Sequence, residues 1–280
     1  MDFDAEFDAI RRDISQGKTS EVSAKISGIA GQSSDPFVII KCISLMKTVN
    51  ENGAAEELAG LLVKKAGKDP ETMIQSASAL RVLGFPSRAL ELLNSLEKND
   101  AVLRESAQCF ISLGDYRSAL SELDMIADKT AEDSCLIVNS LSSLDQCESA
   151  VSEASALIAK YPDFYGAKTA YVSSLIRGGK EKEATRYVRS LLKNKSADSN
   201  ALAGYLMWIL GNAKSAGAYA SRAVQKDNRH IGGMEILGLS LAARGETDKA
   251  RIVAGAINEI QPGHASAVKI LDYCNSAEKS

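Results

Sequence analysis

The chain is short of the residues on which most catalysis and membrane insertion depend. Its 280 residues include only 2 His, 5 Pro, 1 Trp and 6 Phe. A general base or metal centre needs histidines with partners converging on them. Neither His230 nor His264 belongs to an H-x-x-x-H or H-E-x-x-H spacing, so both read as surface or cap residues. A basic excess is also missing: 33 Lys+Arg against 36 Asp+Glu leave a net charge of -3, which argues against a broad nucleic-acid surface. The most apolar stretch, Phe37 to Met46, is interrupted by Lys41 and is too short to cross a bilayer. The opening MDFDAEFD carries four acids and no base, the opposite of a targeting peptide. These absences predict a soluble, cytoplasmic, non-catalytic protein with no cofactor, no metal and no membrane insertion.

The cysteines fit that expectation. Cys42, Cys109, Cys135, Cys147 and Cys274 are odd in number and scattered, without a C-x-x-C pair, and read as small apolar residues filling helix contacts. Gly17-Lys18-Thr19 resembles the tail of a phosphate-binding loop, but Arg12 stands where its first glycine is required and no strand precedes it. Gly232-Gly233 and Gly238 have no βαβ unit around them, and Glu56-Glu57 is an ordinary solvated helix face.

What is present is a repeat. Gly114 is followed five residues later by Ala119, and the same spacing recurs at Gly84 and Ala89, Gly179 and Ala184, Gly211 and Ala216, and Gly245 and Ala250. Asp145 takes the glycine's place once, with Ala150 in register, and successive turns lie 30, 31, 34, 32 and 34 residues apart. Nine and twelve residues past each turn the positions are apolar, for example Leu123 with Ile126 and Val188 with Leu191. Offsets of five, nine and twelve share one face of a 3.6-residue helix, which marks the buried stripe of a second helix. Four residues before the turn, Leu80, Phe110, Leu141, Leu175, Met207 and Leu241 mark a first helix. Seven before it, Ala77, Ala107, Gly204 and Gly238 are small enough to let two helices approach closely. Gly17 and Gly53 start two weaker units, the second with Lys65 at a position the pattern wants apolar. Asp35-Pro36 and Asp69-Pro70 read as N-cap plus first helical residue, and Pro86 opens a second helix.

This spacing of small residue, turn glycine, alanine and proline resembles the tetratricopeptide repeat, a helical hairpin of about 34 residues. Met234 to Pro262 and Cys135 to Pro162 match best, and the likeness runs from Ile40 to the end of the chain. The early aromatic of the family's first helix is mostly missing. The predicted fold is all-α, a right-handed α-α superhelix (solenoid) of about eight helix-turn-helix repeats with a C-terminal capping helix. It is expected as a single domain over 1–280: weaker repeats over 1–69, clear ones over 70–262, and a cap and tail over 263–280.

The resemblance implies that first helices line a concave groove where partners lie. The residues six and ten positions before each turn, with those two and three before it, should face that groove. They include Arg81, Arg104, Gln108, Asn139, Ser143, Arg177, Tyr205 and Trp208. Arginine and aromatics dominate binding hot spots, and amides pair with peptide backbone. The expected ligand is therefore an extended or helical segment of a protein partner bearing an acidic or carboxylate feature. Solvated arginines, and inter-helix packing of Tyr205 and Trp208, are the alternatives. The lysine pattern of the chaperone-tail carboxylate clamp is not reproduced. A second basic run, Lys180, Lys182, Arg186, Arg189, Lys193 and Lys195, reads as the exposed convex side. The expected function is a protein-interaction adaptor or scaffold; the alternative is a structural subunit that self-associates into a homo-oligomer or larger complex.

Overall fold

The computed structural model describes residues 3–18, 21–192 and 196–277. Seventeen α-helices and no strand occur among them, and within each unit neighbouring helices pack against one another. The helices fall into two compact units, Met1–Leu144 and Asp145–Ser280. The first unit holds α1 (Asp4–Ser15), α2 (Val22–Gln32), α3 (Pro36–Thr48), α4 (Asn52–Lys65), α5 (Pro70–Val82), α6 (Pro86–Leu93), α7 (Asp100–Ser112), α8 (Tyr116–Asp124) and α9 (Ala131–Ser143). The second holds α10 (Cys147–Lys160), α11 (Tyr165–Arg177), α12 (Glu181–Leu191), α13 (Ala197–Ile209), α14 (Ala213–Lys226), α15 (Ile231–Ala242), α16 (Thr247–Ile260) and α17 (Ala265–Ala277).

The hairpin turns follow from backbone chemistry. Gly84, Gly114, Gly179, Gly211 and Gly245 all have positive φ, between 70° and 89°. That left-handed conformation ends the first helix, and only glycine adopts it without a Cβ clash. The next amide then reaches back to a carbonyl of the first helix: Phe85 N–H donates to Leu80 O at 2.8 Å, Asp115 to Phe110 O at 2.9 Å and Glu246 to Leu241 O at 3.0 Å. Asp145 holds the same conformation with φ 58°, which Asp and Asn tolerate better than other side chains.

One turn differs from the sequence expectation. Gly53 lies inside α4, and the left-handed residue of that hairpin is Asn50, with φ 62°. Counting from Asn50 restores the apolar register, because Ala55, Ala59 and Leu62 are all fully buried. Lys65 then falls at the end of α4 rather than on its buried stripe. Its ammonium donates to Ala30 O at 3.3 Å and to Gly31 O and Ser33 O at 2.8 Å, closing orphan carbonyls at the C-terminus of α2.

The core sits where the repeat predicts. Five residues past the turn, Val22, Ala55, Ala89, Ala119, Ala150, Ala184, Ala216 and Ala250 have 0% exposure. Small residues seven before the turn do bring helices close. A Cβ on Gly204 would stand 3.2 Å from Ala216 O and Ala220 N of α14. The two shortest turn spacings have a simple cause: α6 and α8 contain 8 and 9 residues, against 14 in α4, α10, α14 and α16. The caps match the punctuation. Asp35 accepts the Phe37 amide at 2.9 Å and Asp69 the Thr72 amide at 2.9 Å, each with proline at the first helical position. The terminal helix α17 buries Ala267, Ile270 and Cys274.

Candidate functional site

In the first unit the expected groove arginines are engaged within the chain. Arg81 of α5 pairs with Glu105 of α7, whose side chain is only 9% exposed. Arg104 of α7 donates from Nε to both carboxylate oxygens of Asp133 on α9, at 3.1 and 2.9 Å, and from its terminal nitrogen to Asp128 O at 2.8 Å. Asp133 is buried and also accepts the Thr130 amide at 2.9 Å, completing the capping box of α9. Each arginine thus ties the first helix of one hairpin to the first helix of the next. Gln108 is half-buried, Asn139 exposed and Ser143 half-buried on the same run of helices.

The second unit contains a cleft of about 740 Å³ between the N-terminal halves of α11, α13 and α15. Its floor is a stripe on α13, where Asp198, Ala201, Leu202 and Tyr205 follow the i, i+3, i+4, i+7 spacing of one helix face. Tyr165 and Lys168 of α11 form one wall, and His230, Gly232 and Glu235 at the start of α15 the other. The rings of Tyr165 and Tyr205 meet at 5.7 Å between centroids, tilted by 35°. Burial, then the neighbouring Tyr205 and the Glu235 carboxylate, push the Tyr165 phenol above its ordinary range, so it stays neutral. Burial pushes the Glu235 carboxyl up, but hydrogen bonds from Lys269 and Ser266 outweigh it and leave the group below its ordinary value.

His230 is the N-cap of α15. Its Nδ1 accepts the Gly233 amide at 2.9 Å, which places the proton on Nε2, and Nε2 lies 3.0 Å from Asp198 Oδ1. Both ring nitrogens are therefore occupied. Ser196 and Ser199 bond each other in the capping box of α13 instead of facing the imidazole. Among the described residues, the hydrogen-bond contacts of the His230 ring are the Gly233 amide and the Asp198 carboxylate. No cluster of His, Cys, Asp and Glu able to hold a metal occurs among the described residues. Nor, among them, is any helix long and apolar enough to cross a membrane.

Of the expected groove residues in this unit, Tyr205 lines the cleft and Arg177 is exposed at the end of α11. Trp208 is half-buried one turn beyond, its ring edge-on to Tyr273 of α17 at 6.0 Å, and packs against the core around α13 and α15. Tyr165, Lys168, Asp198 and His230 were not among the expected groove residues. Tyr165, Asp198 and His230 sit about one helical turn nearer the helix starts than the counted positions, and Lys168 is the immediate neighbour of one, Thr169. His264 is a cap as well, its Nδ1 accepting the Ser266 amide at 3.1 Å. On α12, Lys182, Arg186 and Arg189 are exposed; Lys193 and Lys195 lie outside the described residues.

No family model matches the chain, and no curated protein matches it. Solved structures that it is similar to are repeat proteins. TTC0263, a thermophilic tetratricopeptide protein of Thermus thermophilus, is 15% identical with a TM-score of 0.46, over 65% of this chain and 100% of that one. A tetratricopeptide repeat protein of Parabacteroides merdae is 13% identical with a TM-score of 0.48, over 84% and 96%. The tetratricopeptide domain of P58(IPK) is 13% identical with a TM-score of 0.32, over 100% and 99%.

Proposed function

We propose that this chain is a non-catalytic protein-interaction scaffold that holds a peptide segment of a partner in the groove lined by its first helices, with the cleft of the second unit as the main contact. The observation that carries the reading is that cleft: an apolar floor of Ala201 and Leu202, a stacked tyrosine pair, and a few polar groups fixed by helix caps. Sites of this make-up orient a ligand by a small number of placed polar groups over apolar contact area. Tyrosine supplies large contact area at little entropic cost. The test is selection of displayed random peptides on the full chain, followed by binding of retained peptides to a Tyr165→Ala/Tyr205→Ala variant. Retained peptides should lose binding to the variant while its circular dichroism spectrum stays helical and its unfolding cooperative at the assay temperature. Peptides that bind the variant equally well would remove the cleft from the function.

Self-association is the second reading, and one surface favours it. On α17, Val268 is 51% exposed and Tyr273 37%, flanking an open apolar depression at the chain's last helix. Light scattering across concentration tests it: a strict monomer removes the assembly reading.

A further inference from the structure

We infer that the cleft between α11, α13 and α15 selects a cationic side chain, lysine or arginine, from the segment it holds; this rests on the peptide-groove reading above. The reason is the balance of charge at its wall. Among the described lining residues, three carboxylates, Asp163, Asp198 and Glu235, stand against one ammonium, Lys168. Glu235 is neutralised by Lys269 at 2.6 Å, which leaves Asp163 and Asp198 facing solvent at the rim. Asp198 is 92% exposed on its side chain, and its one described contact is the His230 ring.

The floor suits the same occupant. A lysine or arginine stem lies on Ala201, Leu202 and Ile236, while its charged head meets the rim carboxylates and the tyrosine faces. An aromatic face attracts a cation within about 6 Å of its centre. Tyr165 is about half exposed, so part of the tyrosine pair remains accessible to such a head.

An anionic occupant fits poorly. Helix N-termini are the usual anion sites because their first amides lack partners. Here Ser196 accepts the Ser199 amide at 3.0 Å and His230 the Gly233 amide at 2.9 Å, so α13 and α15 have third-position amides already satisfied. The expected arginines Arg81 and Arg104 are each paired with a carboxylate within the first unit.

The test uses peptides selected from a random displayed library on the full chain, measured by fluorescence anisotropy. Lysine or arginine should recur at one position, and its replacement by glutamine or citrulline should weaken binding about tenfold, as loss of one cation–π and charge contact implies. The Asp163→Asn/Asp198→Asn variant should show the same loss with an unchanged melting temperature, because asparagine still accepts from His230 Nε2. Peptides enriched in Asp or Glu at that position, or carrying no recurrent cation, or binding the double asparagine variant unchanged, would overturn the inference and leave the groove reading standing. An empty selection, or peptides indifferent to Tyr165→Ala/Tyr205→Ala, would instead defeat the groove reading itself.

Discussion

Substituting Gly238 by alanine sets two physical effects against each other, and the packing decides the sign. Gly238 lies in the interior of α15, where replacing glycine by alanine ordinarily stabilises a helix by about 1 kcal/mol. A Cβ there would meet Ile270 of α17, with Cδ1 at 2.5 Å, Cγ1 at 3.0 Å and Cγ2 at 3.2 Å. Rotating the far end of the side chain relieves only the first of these contacts. Ile270 is β-branched and fully buried, so its χ1 is stiff and there is no open space to move into. Overpacking of this kind costs about 1–3 kcal/mol, so Gly238→Ala should be net destabilising by about 1 kcal/mol. Gly255→Ala in α16 is the control, since a Cβ there meets nothing within 4 Å, and it should stabilise. Unfolding in urea, followed by circular dichroism and by the fluorescence of Trp208, reads the difference. Trp208 is the only tryptophan and sits edge-on to Tyr273 of α17, so it reports on this region. Adding Ile270→Val, which removes the closest atom, should recover part of the loss. If Gly238→Ala raised the midpoint as Gly255→Ala does, the close approach of α15 and α17 would be refuted.

Arg104→Ala should destabilise the first unit by about 2–3 kcal/mol, because it strands the buried Asp133 carboxylate; a double-mutant cycle with Asp133→Ala in urea should give a coupling above about 1 kcal/mol. Gly114→Ala, at φ 76°, should cost about 1–2 kcal/mol in the same assay, whereas Asn50→Gly, at φ 62°, should be neutral or stabilising by about 0.5 kcal/mol. Acid should weaken the fold through Asp69, Asp100 and Asp115, whose carboxyls are held below their ordinary 3.8 by cap bonds from Thr72, by the Ala127 and Asp128 amides, and by Ser118. A lowered folded value means the contribution is present above pH 3.8 and is lost as pH falls through that lowered value, so Asp69→Asn should flatten the acid limb of a melting-temperature profile. Burial pushes the Cys42 thiol up to about 11 and that of Cys109 to about 12, so iodoacetamide should leave both unmodified in the native protein and label them in urea, as peptide mass mapping would show.

The repeat was legible because it is written in positions that packing holds narrow. The residue five past each turn is fully buried in all eight hairpins, alanine in seven and valine, Val22, in one. Chain sterics likewise reserve the turn for a residue tolerant of positive φ. The misplaced turn at Gly53 shows the limit of reading glycine alone: asparagine meets the same steric demand at Asn50, and the buried Ala55, Ala59 and Leu62 carry the register that identifies it. The cleft was half legible. Ala201, Tyr205 and Glu235 lie on the counted groove stripes, but Tyr165, Asp198 and His230 enter it from the first turns of their helices. Where those first turns converge depends on loop length and on the offset between neighbouring hairpins, which one repeat's spacing does not encode.

The same offset bears on the arginines. Arg81 and Arg104 occupy the counted positions of their helices, and Glu105 and Asp133 of the following hairpins meet them there. Such pairs contribute little net stability once desolvation is counted, but breaking one is costly, so they discriminate against other offsets of adjacent first helices. Asp133 serves the helix cap and the ion pair at once. A charge reversal at Arg104 would therefore disturb the first turn of α9 along with any bound ligand, and lost binding in that variant would say nothing about contact. Asp163 and Asp198 are free of that ambiguity, because neither carboxylate is buried and asparagine preserves the hydrogen bond to His230. The proposed preference for a cation is therefore tested at those two residues, and the arginines answer a different question, how one hairpin of the first unit is seated on the next.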